Sequence, residues 1–157
     1  MMLNWKKMER LSEGYDKVWI VEDDTIPPLD ALEKLLEVDG DVVHGLFAMR
    51  HAPYEPSIQK EFRVQYSWDE VSRMKGVVSV KGSATGCTLL SRAFLDRYKI
   101  DMKGYHNPVE YKDVAIDLLM TAFCLKEGIE QKVRLDVQCG HRKAGGEIIW
   151  PKQFMKG

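Results

Sequence analysis

Residues 17–38 read KVWIVEDDTIPPLDALEKLLEV and set the architecture that we expect for this 157-residue chain. Lys17 to Val21 is a β-branched and aromatic run, which predicts a buried strand. The run leads directly into Glu22-Asp23-Asp24, so an apolar strand ends in three carboxylates. Two prolines then open a helix that we expect to extend from Leu29 to about Val38, with leucines along one face. The segment therefore predicts a strand, an acidic turn and a helix in succession.

Strand and helix patterns continue to alternate along the rest of the chain. Further strands are predicted at 41–49, 76–81, 87–91 and within 131–139, and a strongly apolar helix is predicted at 114–126. This alternation is typical of the α/β class, in which helices flank a sheet. A chain of this length predicts a single domain, residues 1–157, with a core at 15–141 and a C-terminal tail at 142–157.

Composition excludes several classes of function. The chain has 23 basic and 24 acidic residues, so it carries no excess positive charge that would favour nucleic acid or anionic lipid. It contains no apolar run of the roughly 18–20 residues that span a bilayer, and its first residues do not resemble a secretory signal. The three cysteines form no CxxC pair, which favours free thiols in a reducing compartment. We therefore expect a cytoplasmic protein without a transmembrane segment or nucleic-acid partner.

The acidic turn has two interpretations. If the strand stays extended to its end, Glu22 and Asp24 project to one face and Asp23 to the other. Neighbouring carboxylates repel one another unless a cation or proton separates them, and Mg²⁺ or Mn²⁺ suits oxygen ligands of this kind. Ligands of α/β sheets also bind at the carboxyl ends of strands. The alternative is a solvated acidic turn that favours the N-terminus of the following helix.

Several segments, in order along the chain, carry a resemblance to one enzyme family. YDKVWIVEDDTIPPLDALEKLL, beginning at Tyr15, resembles the strand that delivers the acidic DXD motif of GT-A-fold glycosyltransferases of the family 2 type, with its proline-initiated helix. DVVHGLFAMR, beginning at Asp41, resembles the next strand, and GSATGCTLLSRAFLD, beginning at Gly82, resembles their small-residue stretch, strand and helix. IDLLMTAFCLKEG and VRLDVQCGH resemble their acid-bearing helix and the closing strand with its terminal histidine. The resemblance implies a GT-A-like mixed sheet flanked by helices.

The same resemblance implies roles for individual residues. Asp24 and His141, together with Glu22, correspond to the metal ligands for Mn²⁺ or Mg²⁺, and Asp117 corresponds to the acid that deprotonates the acceptor in inverting enzymes. The implied donor is a UDP- or GDP-sugar, and the implied acceptor is a glycan or another hydroxyl compound. The positions that correspond to the donor-binding site are Glu22, Asp23, Ser83, Ala84, Thr85 and Gly86.

The chemistry of these residue types suits those roles. Sugar transfer releases a highly charged nucleoside diphosphate, and a divalent cation stabilises that developing charge. Apolar neighbours of Asp117 should raise its carboxyl pKa by desolvation, which suits a general base. Small residues at 82–86 let a substrate approach the backbone closely.

The sequence also departs from the family pattern. Ile116 stands where an acidic residue usually precedes the helical acid, and the nucleotide-binding units that precede the DXD strand have no counterpart. The sheet would then have an uncovered apolar edge, which predicts a homo-oligomer or a partner chain. Two alternatives to transfer therefore remain open, namely a shortened non-catalytic GT-A-like module that binds a partner or glycan, and metal-dependent phosphoester hydrolysis.

Overall fold

A mixed five-stranded sheet forms the centre of the protein in a computed structural model, which describes residues 10–105 and 116–155. The strand order is β1-β8-β3-β9-β6; β3 and β9 are parallel, and the other neighbouring pairs are antiparallel. The strands of this sheet are β1 (Lys17–Val21), β3 (Val42–Leu46), β6 (Val77–Val80), β8 (Cys87–Ser91) and β9 (Gln131–Gln138).

Two small antiparallel sheets flank the main one. The first has the order β11-β10-β2, and the second has the order β5-β4-β7. Their strands are β2 (Thr25–Ile26), β4 (Ile58–Glu61), β5 (Val64–Gln65), β7 (Gly82–Ser83), β10 (Gly140–Arg142) and β11 (Ile148–Ile149). The described helices are α1 (Ala31–Leu36), α2 (Trp68–Val71), α3 (Arg92–Tyr105) and α4 (Ile116–Glu127), and a 3₁₀ turn covers Pro151–Gln153.

Helices cover both faces of the main sheet because consecutive strand residues point to opposite sides. Val42 and Leu90 belong to a cluster with Phe94 and Phe123, which places α3 and α4 on one face. The neighbouring residues Val43 and Leu89 belong instead to a cluster with Leu35 of α1 on the opposite face. The α/β class predicted from the alternating pattern is therefore confirmed.

Some boundaries differ from the sequence-based expectations. Helix α1 is shorter than the predicted segment 29–38, and Leu29 is fully exposed, because only Ala31 and Leu35 face the core. Helix α3 starts at Arg92 and continues to Tyr105, beyond the end of the segment GSATGCTLLSRAFLD at Asp96. Helix α4 corresponds to the predicted segment 114–126, whose first two residues lie outside the described residues.

The segment 142–155 belongs to the folded structure. Ile148 and Ile149 pair with Arg142 and His141, and Pro151 is buried. The ring of Phe154 stacks on Trp68, with centroids 5.4 Å apart. None of the described helices is both long and apolar enough to cross a membrane.

Candidate functional site

The candidate site forms where β2 pairs with β10. Strand β1 ends at Val21, and the chain then makes a turn that is closed by a hydrogen bond from Thr25 N–H to Glu22 O at 3.0 Å. In the adjacent pairing, Thr25 lies opposite His141, and Arg142 N–H donates to Asp24 O at 2.7 Å. This pairing places His141 beside the acidic turn, although more than one hundred residues separate the two in sequence.

Asp24 and His141 face one another at the centre of this site. His141 Nε2 lies 3.4 Å from Asp24 Oδ2, and the two side chains are 8% and 22% exposed, respectively. The other ring nitrogen, Nδ1, lies 2.7 Å from Ala48 O, and a carbonyl oxygen can only accept. Nδ1 therefore carries a proton, which leaves Nε2 of the neutral ring free to act as a ligand. The ring of Phe47 packs edge-on against the imidazole at 5.2 Å and fixes its plane.

The two oxygens of the Asp24 carboxylate have different environments. Oδ2 accepts a hydrogen bond from Arg50 Nη1 at 2.8 Å, whereas Oδ1 is buried and has no hydrogen-bond partner. A buried carboxylate oxygen without a partner is unfavourable, and a bound cation would satisfy it. The combination of carboxylate and imidazole suits Mn²⁺, and Mg²⁺ suits the carboxylate. The residues present therefore fit a divalent cation at this position.

A cation at Asp24 and His141 would need further ligands besides side chains of the residues that the structure describes. No group of three or more His, Cys, Asp or Glu side chains that could hold a metal occurs within residues 10–105 and 116–155. Mg²⁺ sites that act on phosphates commonly use one or two protein carboxylates and take their other ligands from water and the substrate. The Asp24–His141 pair is consistent with that incomplete type of site.

Glu22 and Asp23 occupy positions different from those expected of an extended strand end. Because β1 stops at Val21, the strand does not stay extended through the carboxylates, and the alternation that would place Glu22 and Asp24 on one face does not apply. The Glu22 carboxylate accepts a hydrogen bond from Thr85 Oγ1 at 2.7 Å, and Asp23 is exposed. Glu22 therefore connects the acidic turn to the small-residue loop.

The small-residue loop, residues 82–86, packs tightly beside the acidic turn. Ser83 and Thr85 are buried, and Glu22 N–H donates to Gly86 O at 3.0 Å. A Cβ atom on Gly86 would lie 2.7 Å from Thr25 Oγ1 and 2.8 Å from the ring of Phe47. Position 86 therefore has no room for a side chain, and the loop backbone lies directly against the candidate site.

Asp117 lies in the first turn of α4, on the face of the helix that contacts the small-residue loop. A Cβ atom on Gly82 would lie 2.6 Å from the side chain of Thr121, so this part of α4 contacts the loop. Asp117 precedes Thr121 by four positions and therefore shares its face of the helix. Its carboxylate accepts a hydrogen bond from Leu118 N–H at 2.9 Å, and among the described contacts none joins it to Asp24 or His141.

The surroundings of Asp117 perturb its ionisation. Burial raises the pKa of the Asp117 carboxyl above its usual value, in the direction expected from its apolar neighbours. Burial is also the largest cause of the raised pKa of Tyr98, and the charges of Cys124 and Asp117 add to it. The Asp117 carboxylate therefore lies close enough to Tyr98 to affect it, in the layer formed by α3 and α4.

Two functional contacts could not be identified from the sequence. Arg50 forms an ion pair with Asp24, and the only sequence signal is its position shortly after a predicted strand. The carbonyl of Ala48 orients His141, but a backbone acceptor has no sequence signature. Both contacts depend on how the segment after β3 folds back over the acidic turn.

Comparisons with known proteins find a structural likeness only. No family model matches the chain, and no curated protein matches it in sequence. One solved structure to which it is similar is the crystal structure of A197 from STIV, with a TM-score of 0.55 and 14% identity over 92% of this chain and 70% of that chain. At this level of identity the likeness concerns the fold alone.

The assignment to the family 2 type of GT-A-fold glycosyltransferases is therefore wrong. The absence of a matching family model removes its sequence basis, and within the described residues no three-residue metal group supports it. The resemblance rested on short segments in which a strand precedes an acidic turn or a helix, and unrelated α/β proteins share such segments. The comparisons place the chain among mixed α/β proteins that have a structural neighbour in A197 from STIV.

Proposed function

We propose that the protein binds Mn²⁺ or Mg²⁺ at Asp24 and His141 and transfers a sugar from a nucleotide-sugar donor, a UDP- or GDP-sugar, to a hydroxyl acceptor such as a glycan. One observation carries the proposal: the Asp24–His141 pair, with a buried unpartnered carboxylate oxygen, lies next to a loop of small residues. When bound there, the cation would stabilise the negative charge that develops on the departing diphosphate.

His141 and Asp24 would hold the cation, and the described contacts orient both side chains for this role. The hydrogen bond between His141 Nδ1–H and Ala48 O directs Nε2 towards the carboxylate before any ligand arrives. Such an outer hydrogen bond fixes the ring orientation and strengthens the imidazole as a ligand. Asp24 contributes negative charge and the unpartnered Oδ1 atom. These two residues would therefore hold the cation, which would supply positive charge for the diphosphate end of the donor.

The donor sugar would meet the loop at 82–86 at Ala84, the one residue of this loop that is not buried. The small side chain of Ala84 leaves its backbone accessible to a sugar, and the hydrogen bond between Thr85 and Glu22 holds the loop beside the acidic turn. This arrangement supports a donor that extends from the Asp24–His141 pair onto the loop. Glu22 acts in this proposal by positioning the loop rather than by binding the metal, since its carboxylate is engaged by Thr85.

Asp117 is the general base of the proposed reaction. It lies on the face of α4 that contacts the loop, and its raised pKa makes the carboxylate a stronger proton acceptor than an exposed aspartate. Removal of the acceptor proton while the oxygen attacks the anomeric carbon, opposite the leaving diphosphate, inverts the configuration at that carbon. The direct displacement requires one base and no covalent sugar–enzyme intermediate.

Three finer features belong to the same proposal. The mixed sheet would have a GT-A-like arrangement, without any family assignment. The exposed edge of β1 would be covered by a second copy or a partner chain, since β1 is the last strand at one side of the sheet. The cytoplasm would be the site of the reaction, since Cys87, Cys124 and Cys139 are buried free thiols.

A screen of UDP- and GDP-sugars with Mn²⁺, followed by detection of the released nucleoside diphosphate, tests the proposal. Asp24→Asn should abolish metal-dependent release while the melting temperature stays near that of the wild type. Asp39→Asn, an equivalent change at an exposed position, serves as the matched control and should leave release unchanged. Turnover of simple phosphoesters instead would favour hydrolysis, and a folded protein without metal or nucleotide affinity would favour a non-catalytic module.

A further inference from the structure

Arg50 lies at the start of the turn in a hairpin formed by residues 47–57, and its side chain contacts the candidate site. Met49 N–H donates to Glu55 O at 2.8 Å, and Ser57 N–H donates to Phe47 O at 2.9 Å, so the two arms of this hairpin are fixed. Its guanidinium Nη1 lies 2.8 Å from Asp24 Oδ2, although the Arg50 side chain is 51% exposed to solvent. The backbone at this position is therefore anchored while the side chain has solvent space in which to move.

The Arg50 guanidinium contacts an Asp24 oxygen that a cation at this site would also bind. It contacts Oδ2, the same Asp24 oxygen that faces His141 Nε2 at 3.4 Å. A divalent cation between these two ligand atoms would meet the guanidinium at close range, and the two positive charges would repel each other. Arg50 and the cation therefore compete for one carboxylate oxygen.

The magnitudes favour displacement of Arg50. An ion pair with one half-exposed partner contributes little because solvent screens it and the long side chain loses freedom. A divalent cation gains the imidazole nitrogen and the unpartnered Oδ1 atom in addition to Oδ2. The displaced guanidinium remains tethered beside the site, and its planar set of donors matches phosphate oxygens in a bidentate manner.

We propose that Arg50 neutralises Asp24 in the cation-free protein and moves onto the diphosphate of the donor when the cation binds. The inference rests on the proposed function, since it requires a cation at Asp24 and a diphosphate ligand. Arg50 then balances the charge of Asp24 before the cation binds, and binds the diphosphate of the donor afterwards. Its removal should therefore affect metal binding and diphosphate binding in opposite directions.

Calorimetric titrations of the whole chain with Mn²⁺ alone, and with UDP and GDP at saturating Mn²⁺, test this inference. Arg50→Ala should bind Mn²⁺ about two- to fivefold more tightly, the gain expected from removal of a partly exposed ion pair. The same variant should bind the nucleoside diphosphate about tenfold or more weakly, since a charge-assisted contact to phosphate is lost. Arg73→Ala removes one exposed arginine at the end of α2 and should change neither affinity.

The outcomes separate this inference from the function on which it rests. Absence of Mn²⁺ binding in both the wild type and Arg50→Ala would overturn both. Mn²⁺ binding to the wild type with equal or weaker binding to Arg50→Ala would overturn the competition alone. Tighter Mn²⁺ binding with unchanged UDP and GDP affinity would overturn the transfer of Arg50 to the diphosphate. Arg50→Lys should keep the metal affinity near that of the wild type and still weaken diphosphate binding, since lysine lacks the planar guanidinium fork.

Discussion

The buried imidazole of His44 should make the stability of the protein sensitive to mild acid. His44 lies at the centre of β3 with no exposed surface, and its ring nitrogens contact Thr88 Oγ1 at 2.8 Å and Gln131 Oε1 at 3.0 Å. Gln131 Nε2–H donates to Lys81 O at 3.1 Å, so its Oε1 must accept from His44 Nε2–H. His44 Nδ1 then accepts from the Thr88 hydroxyl, and the ring is neutral.

The size of the effect follows from the pKa of His44. Burial, only partly opposed by the bond to Gln131, lowers this pKa from 6.5 to about 4. The unfolded chain therefore binds more protons than the folded protein between these values, so the free energy of unfolding falls as pH falls through that window. For these two pKa values the loss between pH 7.5 and pH 5 is about 2 kcal/mol, and it approaches about 3 kcal/mol below pH 4.

Urea unfolding followed by tryptophan fluorescence at pH 7.5, 6 and 5 measures this loss. His44→Gln retains a donor towards Gln131 and removes the titrating group, so it should be less stable at pH 7.5 but lose about 2 kcal/mol less than the wild type on acidification. The comparison cancels the contributions of other groups that both proteins share. Equal acid sensitivity in the two proteins would refute a buried neutral His44 as the cause.

Two further predictions concern the candidate site. Gly86→Ala should lower the free energy of unfolding by about 1–3 kcal/mol in urea denaturation, because the added Cβ would meet Thr25 and Phe47 at under 3.0 Å. No loss would mean that the loop is not packed against the acidic turn. Asp117→Asn should reduce sugar transfer by about 10²- to 10⁴-fold while leaving UDP or GDP affinity unchanged, as expected for loss of a general base. Undiminished transfer would remove Asp117 from the mechanism.

Local sequence patterns predict the strands better than the helix boundaries. The run from Lys17 to Val21 is confirmed as a strand, but it lies at the edge of the main sheet, where only Ile20 is buried and Val21 is exposed. Strand β3, in the middle of the sheet, is buried along its whole length, as expected for a strand that is covered on both faces. The exposed Leu29 shows why α1 is shorter than predicted, since apolar character does not ensure a partner surface. Helix α3 continues to Tyr105, beyond the segment ending at Asp96 on which the expected helix was based, since short motifs do not define where a helix stops.

The site depends on pairings that a local pattern does not encode. The sequence suggests Asp24 and His141 as ligands, and the β2–β10 register brings them together. The role of Glu22 is different because β1 ends at Val21, before all three carboxylates. The contact of Arg50 with Asp24 arises from a hairpin whose direction is set by long-range hydrogen bonds. The sequence therefore identifies Asp24 and His141 as candidate ligands, whereas the contacts of these residues with each other and with Arg50 depend on the tertiary structure.

A titration of the protein with UDP and with GDP, each with and without Mn²⁺, tests the central claim most directly. The account predicts that at least one nucleoside diphosphate binds only when Mn²⁺ is present, and that Asp24→Asn abolishes this binding without unfolding the protein. Binding that is independent of Mn²⁺, or that survives unchanged in Asp24→Asn, would contradict the cation site at Asp24 and His141.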